Sequence, residues 1–251
     1  MRLISTRFLV LAVLVALKAL AFSPLAAAQQ GNDLGAARVA DPDPARFAAE
    51  IRAFEEWDRK NAFPRDAVLF VGSSSIRMWP TAESFSGIAV INRGFGGSHS
   101  SDVNHFAERI VLKYAPRVVV FYAGDNDVEA DKPPQQVFDD FQAFVKLIHE
   151  RLPATTVVYL PIKPSLARWA KWSRMQDVNA RVERLSRGDK SLLYVDTASP
   201  MLGDDGRPRP ELFLDDGLHL NSKGYQEWTT VVNSAIQKLL SRKPIEHRAA
   251  N

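Results

Sequence analysis

The sequence predicts an α/β fold, a three-layer α/β/α sandwich on a parallel five-stranded sheet, and three observations carry that prediction. Five short apolar runs recur along the chain, at 67–71, 88–91, 117–122, 155–160 and 192–195. Continuous runs of this length suit strands buried on both faces. Segments with helical apolar spacing alternate with them, and that rhythm builds right-handed crossovers with helices on both faces of the sheet. Ligands of such sheets bind at the carboxyl ends of the strands, so the chemistry is sought in the residues that follow each run.

Each element has its own justification. Asp43 before Pro44 is a helix N-cap with proline at the first helical position, and Phe47, Ile51, Phe54 and Trp57 then mark one apolar face. AVLFV (67–71) is the first strand and IAVI (88–91) the second. A helix is expected over 100–113, then the third strand, RVVVFY (117–122). Helix 134–151 presents Val137, Phe141, Phe144, Val145 and Ile148 on one side. The fourth strand is TTVVYL (155–160), followed by a helix over 176–185, the fifth strand at 192–195 and a closing helix over 223–240.

The chain is 251 residues long, enough for one sizeable core, which is assigned to residues 44–242. Arg2 and Arg7, the ten-residue apolar run Phe8–Leu17 and Ala26-Ala27-Ala28 read as a signal peptide over 1–28, cut after Ala28. A periplasmic or extracellular location without a stable membrane anchor is therefore expected; the competing reading is an uncleaved anchor, for which the run is short. Residues 29–43 are expected to be a flexible linker and 243–251 a C-terminal tail. There is no cysteine, which excludes disulfides, thiolate metal sites, a cysteine nucleophile and a lipidated N-terminus. The net charge is +3, but three of the 32 basic residues (Arg2, Arg7, Lys18) and no acid lie in the first 28, so the rest balances the 29 acidic residues. No basic face marks a nucleic-acid partner.

Four segments carry chemistry. Gly72-Ser73-Ser74-Ser75 follows the first strand and opens a helix, where a serine hydroxyl meets backbone N–H groups. The same serines would serve as a helix cap or a phosphate-binding turn. Asn92 to His99, with Gly94, Gly96 and Gly97, follows the second strand. It falls short of a dinucleotide fingerprint because it ends in His99 and no matching acid follows; the N–H of Gly97 is better read as an oxyanion donor. Gly124-Asp125-Asn126-Asp127 follows the third strand, and Asn126 has an amide able to donate to an oxyanion, unless the segment is only an Asx turn. Asp216 and His219 precede the closing helix at a spacing that lets a carboxylate orient an imidazole base. His99 and His105 are the rival bases, since His149 lies on a helix and His247 on the tail. Together these segments supply a nucleophile, a base with its orienter, and oxyanion donors, the parts needed for acyl transfer.

These four segments resemble the conserved blocks of the SGNH hydrolases, the GDSL esterase and lipase family, over about Ala67 to Tyr225. The resemblance is strongest with the branch whose first block reads G-S-S-S-I-R. It implies a flavodoxin-like sheet of order 2-1-3-4-5, Ser74 as nucleophile, and Asp216 and His219 completing a triad. It also implies an oxyanion hole from the N–H groups of Ser74 and Gly97 and the Asn126 amide. Ser73 stands where the family's G-D-S signature has aspartate, and G-x-S-x-G is lacking. The expected activity is that of a secreted serine esterase acting on short-chain, mainly acetyl, esters of a small molecule or carbohydrate, with no cofactor and no metal.

Ser73, Lys163 and Trp169 are the expected substrate-binding residues; Arg168, Trp169 and Trp172 follow the fourth strand, where two tryptophans either stack on a sugar or pack a helix. Two other functional classes compete. One is a metal-assisted hydrolase using Asp125, Asp127, Asp215, Asp216 and His219. The other is a non-catalytic module that binds envelope glycans on the same fold.

Overall fold

A computed structural model describes residues 37–241. The assigned signal peptide and C-terminal tail lie outside the described residues, as does all but the end of the assigned linker. Within that range the chain forms five parallel strands: β1 (Val68–Gly72), β2 (Val90–Gly94), β3 (Val118–Tyr122), β4 (Thr156–Tyr159) and β5 (Leu192–Tyr194). Their order is β2-β1-β3-β4-β5, as the resemblance implies. The register aligns Gly72 with Gly94 on one side and with Tyr122 on the other, so three strands end level with one another.

The helices are α1 (Ala48–Lys60), α2 (Ser74–Arg77), α3 (Thr81–Ser84), α4 (Ser100–Ile110), α5 (Asp125–Glu129), α6 (Pro134–Arg151), α7 (Trp172–Gly188) and α8 (Ser222–Leu240). Side chains of a strand alternate between faces, and the two cores follow that alternation. Leu69, Val71, Val119, Phe121, Val157 and Tyr159 pack with Ile51, Phe106, Phe141, Phe144 and Val182 from α1, α4, α6 and α7. Val68, Phe70, Val118, Val120, Tyr122 and Val158 pack on the other face with Trp79, Phe85 and the α8 residues Trp228, Val232 and Ile236. Every residue of β1 and β3 is buried, and full burial of each large apolar side chain contributes about 1.5–3 kcal/mol. Among the described residues no helix is long and apolar enough to cross a membrane.

Three expectations need correction. The second strand lies two to three residues later than the apolar run 88–91 and includes Asn92 and Arg93. A buried arginine is tolerated there because Arg93 Nη2 meets Asp58 Oδ1 at 2.6 Å and Arg93 Nε donates to the Tyr114 hydroxyl, also at 2.6 Å. The helix predicted over 176–185 starts earlier, at Trp172. The end of the presumed flexible linker is docked: Val39 exchanges hydrogen bonds of 2.9 and 2.8 Å with the Gln136 side chain, and Asp41 lies 2.6 Å from Lys132 Nζ.

Candidate active site

The site is built where β1, β2 and β3 end. Gly72 has φ +137, and a Cβ there would fall 1.8 Å from the Tyr122 carbonyl oxygen, so only glycine lets β1 leave the sheet this close to β3. Ser73 N–H donates to that same carbonyl at 3.0 Å, and Phe95 N–H donates to the Gly72 carbonyl at 2.9 Å. α2 then turns across the strand ends. A Cβ on Gly94 would come within 2.3 Å of the Arg77 nitrogen, so the absence of a side chain lets α2 lie against β2. Ser74 is thereby lifted out of the sheet at the first position of α2.

Its hydroxyl has one ring partner. Ser74 Oγ lies 3.0 Å from His219 Nε2, and His219 Nδ1 lies 2.6 Å from Asp216 Oδ2. A carboxylate only accepts, so Nδ1 carries the proton and Nε2 is left to accept from the serine. Asp216 Oδ1 also accepts the N–H groups of Leu218 and His219, both at 2.9 Å, which closes a turn around the acid. The hydrogen bond from His219, together with those two backbone donors, holds the Asp216 pKa at about 2. Of the neighbouring serines, Ser73 is 0% and Ser75 1% exposed, so Ser74 alone of the three faces solvent. The rival bases are elsewhere occupied. His99 is buried with Nδ1 3.8 Å from Asp127 Oδ1, and burial, reinforced by Lys132, lowers its pKa to about 4. His105 is exposed with its ring edge-on to Phe106.

Two further segments complete the rim. Gly97 is exposed with φ +81 and open space about it. Asn126, on the first turn of α5, donates through Nδ2 to the Ser98 carbonyl at 3.1 Å, which ties it to the Gly97 loop. Asp127 accepts the Ser100 N–H at 3.1 Å from the other side of the same loop. The G-D-N-D segment thus clamps the glycine-rich loop at two points.

The expected substrate-binding residues divide. Ser73 is fully buried, its Oγ 3.5 Å from Asp125 Oδ1. Lys163 is 1% exposed, with Nζ 3.4 Å from Asp125 Oδ2 and 3.3 Å from the Tyr122 hydroxyl. Neither reaches a substrate; both lie behind the site, around a buried carboxylate. Burial opposes the charge on Asp125, but Lys163 and Arg168 outweigh it and keep its pKa below the usual carboxylate range. Trp169 is half-buried and stacks on Trp172 with centroids 6.0 Å apart, while Trp172 packs on Val128, Val137, Ile162, Met175 and Val178. Of the three only Trp169 is not fully enclosed, although the Arg207 guanidinium lies 5.6 Å from its ring centroid. Lys132, which faces Asp127, was missed in the sequence, and Asp125 was noticed there but not as the counter-ion of Lys163 and Arg168, because those partners lie on another segment.

The acids proposed for a metal site diverge. Asp125 faces Lys163 and Arg168, Asp127 faces Lys132 at 2.9 Å, and Asp216 is committed to His219. Among the described residues no three His, Cys, Asp or Glu side chains converge as ligands.

The comparisons with known proteins agree with this fold. The profile of the GDSL-like Lipase/Acylhydrolase family matches residues 76–227, more than half of the chain. The platelet-activating factor acetylhydrolase IB subunit alpha1 of Pongo abelii is 27% identical over 195 residues, covering 74% of this chain and 80% of its own. A solved chain from Streptococcus pneumonia superposes with a TM-score of 0.69 over 85% of this chain and 100% of its own, at 19% identity. A GDSL-like lipase from Bacteroides thetaiotaomicron VPI-5482 does so with a TM-score of 0.63 over 78% of this chain and 98% of its own, at 23% identity. A carbohydrate esterase family 3 structure from Talaromyces cellulolyticus covers 70% of this chain and 99% of its own, with a TM-score of 0.57 and 18% identity. At those identities the solved structures speak for the fold, and the profile match speaks for the family. The chain therefore belongs to the GDSL-like lipase and acylhydrolase family, within the SGNH hydrolases, and is an ester hydrolase.

Proposed function

We propose that the protein is a secreted serine esterase that removes short acyl groups, acetyl foremost, from a small-molecule or carbohydrate ester. The observation that carries this reading is the continuous relay from Ser74 Oγ through His219 to Asp216, at 3.0 and 2.6 Å. In the first half-reaction Ser74 Oγ attacks the acyl carbon while His219 Nε2 takes its proton. The carbonyl electron pair moves onto oxygen, and the oxyanion accepts hydrogen bonds from the N–H groups of Ser74 and Gly97 and from the amide of Asn126. Collapse expels the alcohol with the proton from His219 and leaves an acyl ester on Ser74. Water, deprotonated by His219, attacks that ester; the acyl–Oγ bond breaks, His219 returns the proton to Ser74 Oγ, and the carboxylic acid is released. Asp216 stays ionised throughout and stabilises the imidazolium.

A short acyl group is supported by the relative in Pongo abelii, an acetylhydrolase, and a carbohydrate alcohol by the carbohydrate esterase of Talaromyces cellulolyticus. The exposed residues of the segments that carry Ser74 and His219, and of the loop after β4, are mixed in polarity: Met78, Leu166 and Leu214 are exposed, and so is Asp215. Trp169 is the aromatic surface offered to the alcohol part of the substrate. Secretion rests on the signal-like pattern of 1–28; N-terminal sequencing of the exported protein should begin at Gln29.

The test is a panel of p-nitrophenyl esters from acetyl to dodecanoyl, with acetylated sugars, on the wild type and on Ser74→Ala. Hydrolysis should be fastest for acetyl and fall by at least about 10³-fold in Ser74→Ala, as for loss of a triad nucleophile. Undiminished turnover by Ser74→Ala would overturn the mechanism, and a preference for dodecanoyl would overturn the substrate class.

A further inference from the structure

An asparagine amide serves as an oxyanion donor only if its nitrogen end faces the reacting atoms. The two ends are nearly the same shape, so something in the protein has to distinguish them. Asn126 Oδ1 accepts from Arg168 Nη2 at 3.1 Å, while Asn126 Nδ2 donates to the Ser98 carbonyl at 3.1 Å. A guanidinium has donors and no acceptor, so an amide turned the other way would set an NH₂ against Arg168 and a carbonyl against the Ser98 carbonyl. Both contacts would then be lost and become repulsive.

Arg168 is itself held. Its Nη1 lies 3.3 Å from the buried Asp125 carboxylate and its Nε 3.6 Å from Glu129 Oε2, and its side chain is 14% exposed. Its backbone N–H donates to Ser165 Oγ at 3.3 Å. The neighbouring Ala167 N–H donates to the Gly217 carbonyl at 3.0 Å, so the segment that carries Arg168 is joined to the turn that carries Asp216 and His219. A cation on the amide oxygen also draws electron density from the nitrogen, which makes Nδ2 a stronger donor where negative charge develops.

We propose that Arg168 is a positioning residue that fixes the orientation of the Asn126 amide and strengthens it as an oxyanion donor. This rests on the reading of Asn126 as such a donor. Asp125 and Lys163, first expected near substrate in the case of Lys163, form the buried base on which Arg168 is seated. Arg168 is thus not a substrate ligand; its effect passes through Asn126.

The experiment is a double-mutant cycle with p-nitrophenyl acetate, on Arg168→Met, Asn126→Ala and the pair, with Arg168→Lys as the conservative variant and melting temperatures for all. Arg168→Met should lower kcat about 10- to 100-fold, a fraction of the 10²–10³ cost of losing a whole oxyanion donor, with KM changed less than about threefold. Arg168→Lys should recover much of that loss. In the Asn126→Ala background the Met substitution should cost less than about threefold. Should Arg168→Met not fold, Arg168→Gln, a shorter side chain without the charge, takes its place in the cycle. A rise in KM with kcat unchanged, or an undiminished loss of kcat in the Asn126→Ala background, would overturn the proposal. Wild-type kcat in Asn126→Ala alone would instead overturn the donor role of Asn126, an outcome distinct from failure of Arg168.

Discussion

Asp216 gathers three hydrogen bonds on one carboxylate, two from the backbone of its own turn and one from the ring it orients. That economy explains the D-x-x-H spacing. Gly217, with φ +63, bends the chain so that residue 219 returns over residue 216, and the acid that closes the turn also holds the His219 ring. The motif was readable in the sequence because all its partners are local. The pKa of about 2, against an ordinary 3.8, gives the sign of its pH effect. A carboxylate depressed on folding contributes stability above its ordinary value and loses it as pH falls through the depressed one, here about 2. The Asp216 carboxyl carbon, followed by NMR, should therefore titrate near 2, and in His219→Ala should move toward the usual range, since the ring is the largest cause of the shift. A carboxyl titrating near 4 in the wild type would show that the bond to His219 is absent in solution.

Between elements the partners lie far apart in sequence, and there the sequence was less legible. Lys163 and Ser73 were assigned to substrate because they follow strands, but the carboxylate that holds them, Asp125, sits on α5. Asn92 and Arg93 were left out of β2 for being polar, although Asp58, Tyr114 and the carbonyls of Ile76 in α2 and Trp79 just after it satisfy them. Residues 38–41 looked like linker because Gln136, Lys132, Asp139 and Asp140, which bind them, lie about a hundred residues on. Lys132 is the centre of that last cluster. It is fully buried against Asp127, which is equally buried, and Asp140, while Asp41 is 44% exposed. Lys132→Met would leave buried carboxylates without their cation and should cost about 3–5 kcal/mol in urea unfolding. Asp41→Asn removes only a half-exposed partner and should cost no more than about 1 kcal/mol. Equal effects would mean that the N-terminal strap, rather than the Lys132–Asp127 pair, carries the stability of this edge.

At the scale of the whole molecule, a short run of buried strands and a helical rhythm were enough to give the sandwich, and the resemblance supplied the strand order. The long, strongly periodic helices fell where expected, α6 over Pro134–Arg151 and α8 over Ser222–Leu240, because their faces are set by the same alternation that fills the two cores. What the topology adds is convergence. The level ends of β1, β2 and β3 bring residues 74, 97 and 126 to one edge, and the turn before α8 delivers His219 to the same place. The measurement that tests this most directly is covalent labelling with a fluorophosphonate, followed by peptide mass spectrometry. A single adduct should form on Ser74, be lost in Ser74→Ala, and form at least about 10³-fold more slowly in His219→Ala. An adduct on Ser73 or Ser75, or labelling of Ser74 at an unchanged rate without the imidazole of His219, would contradict it.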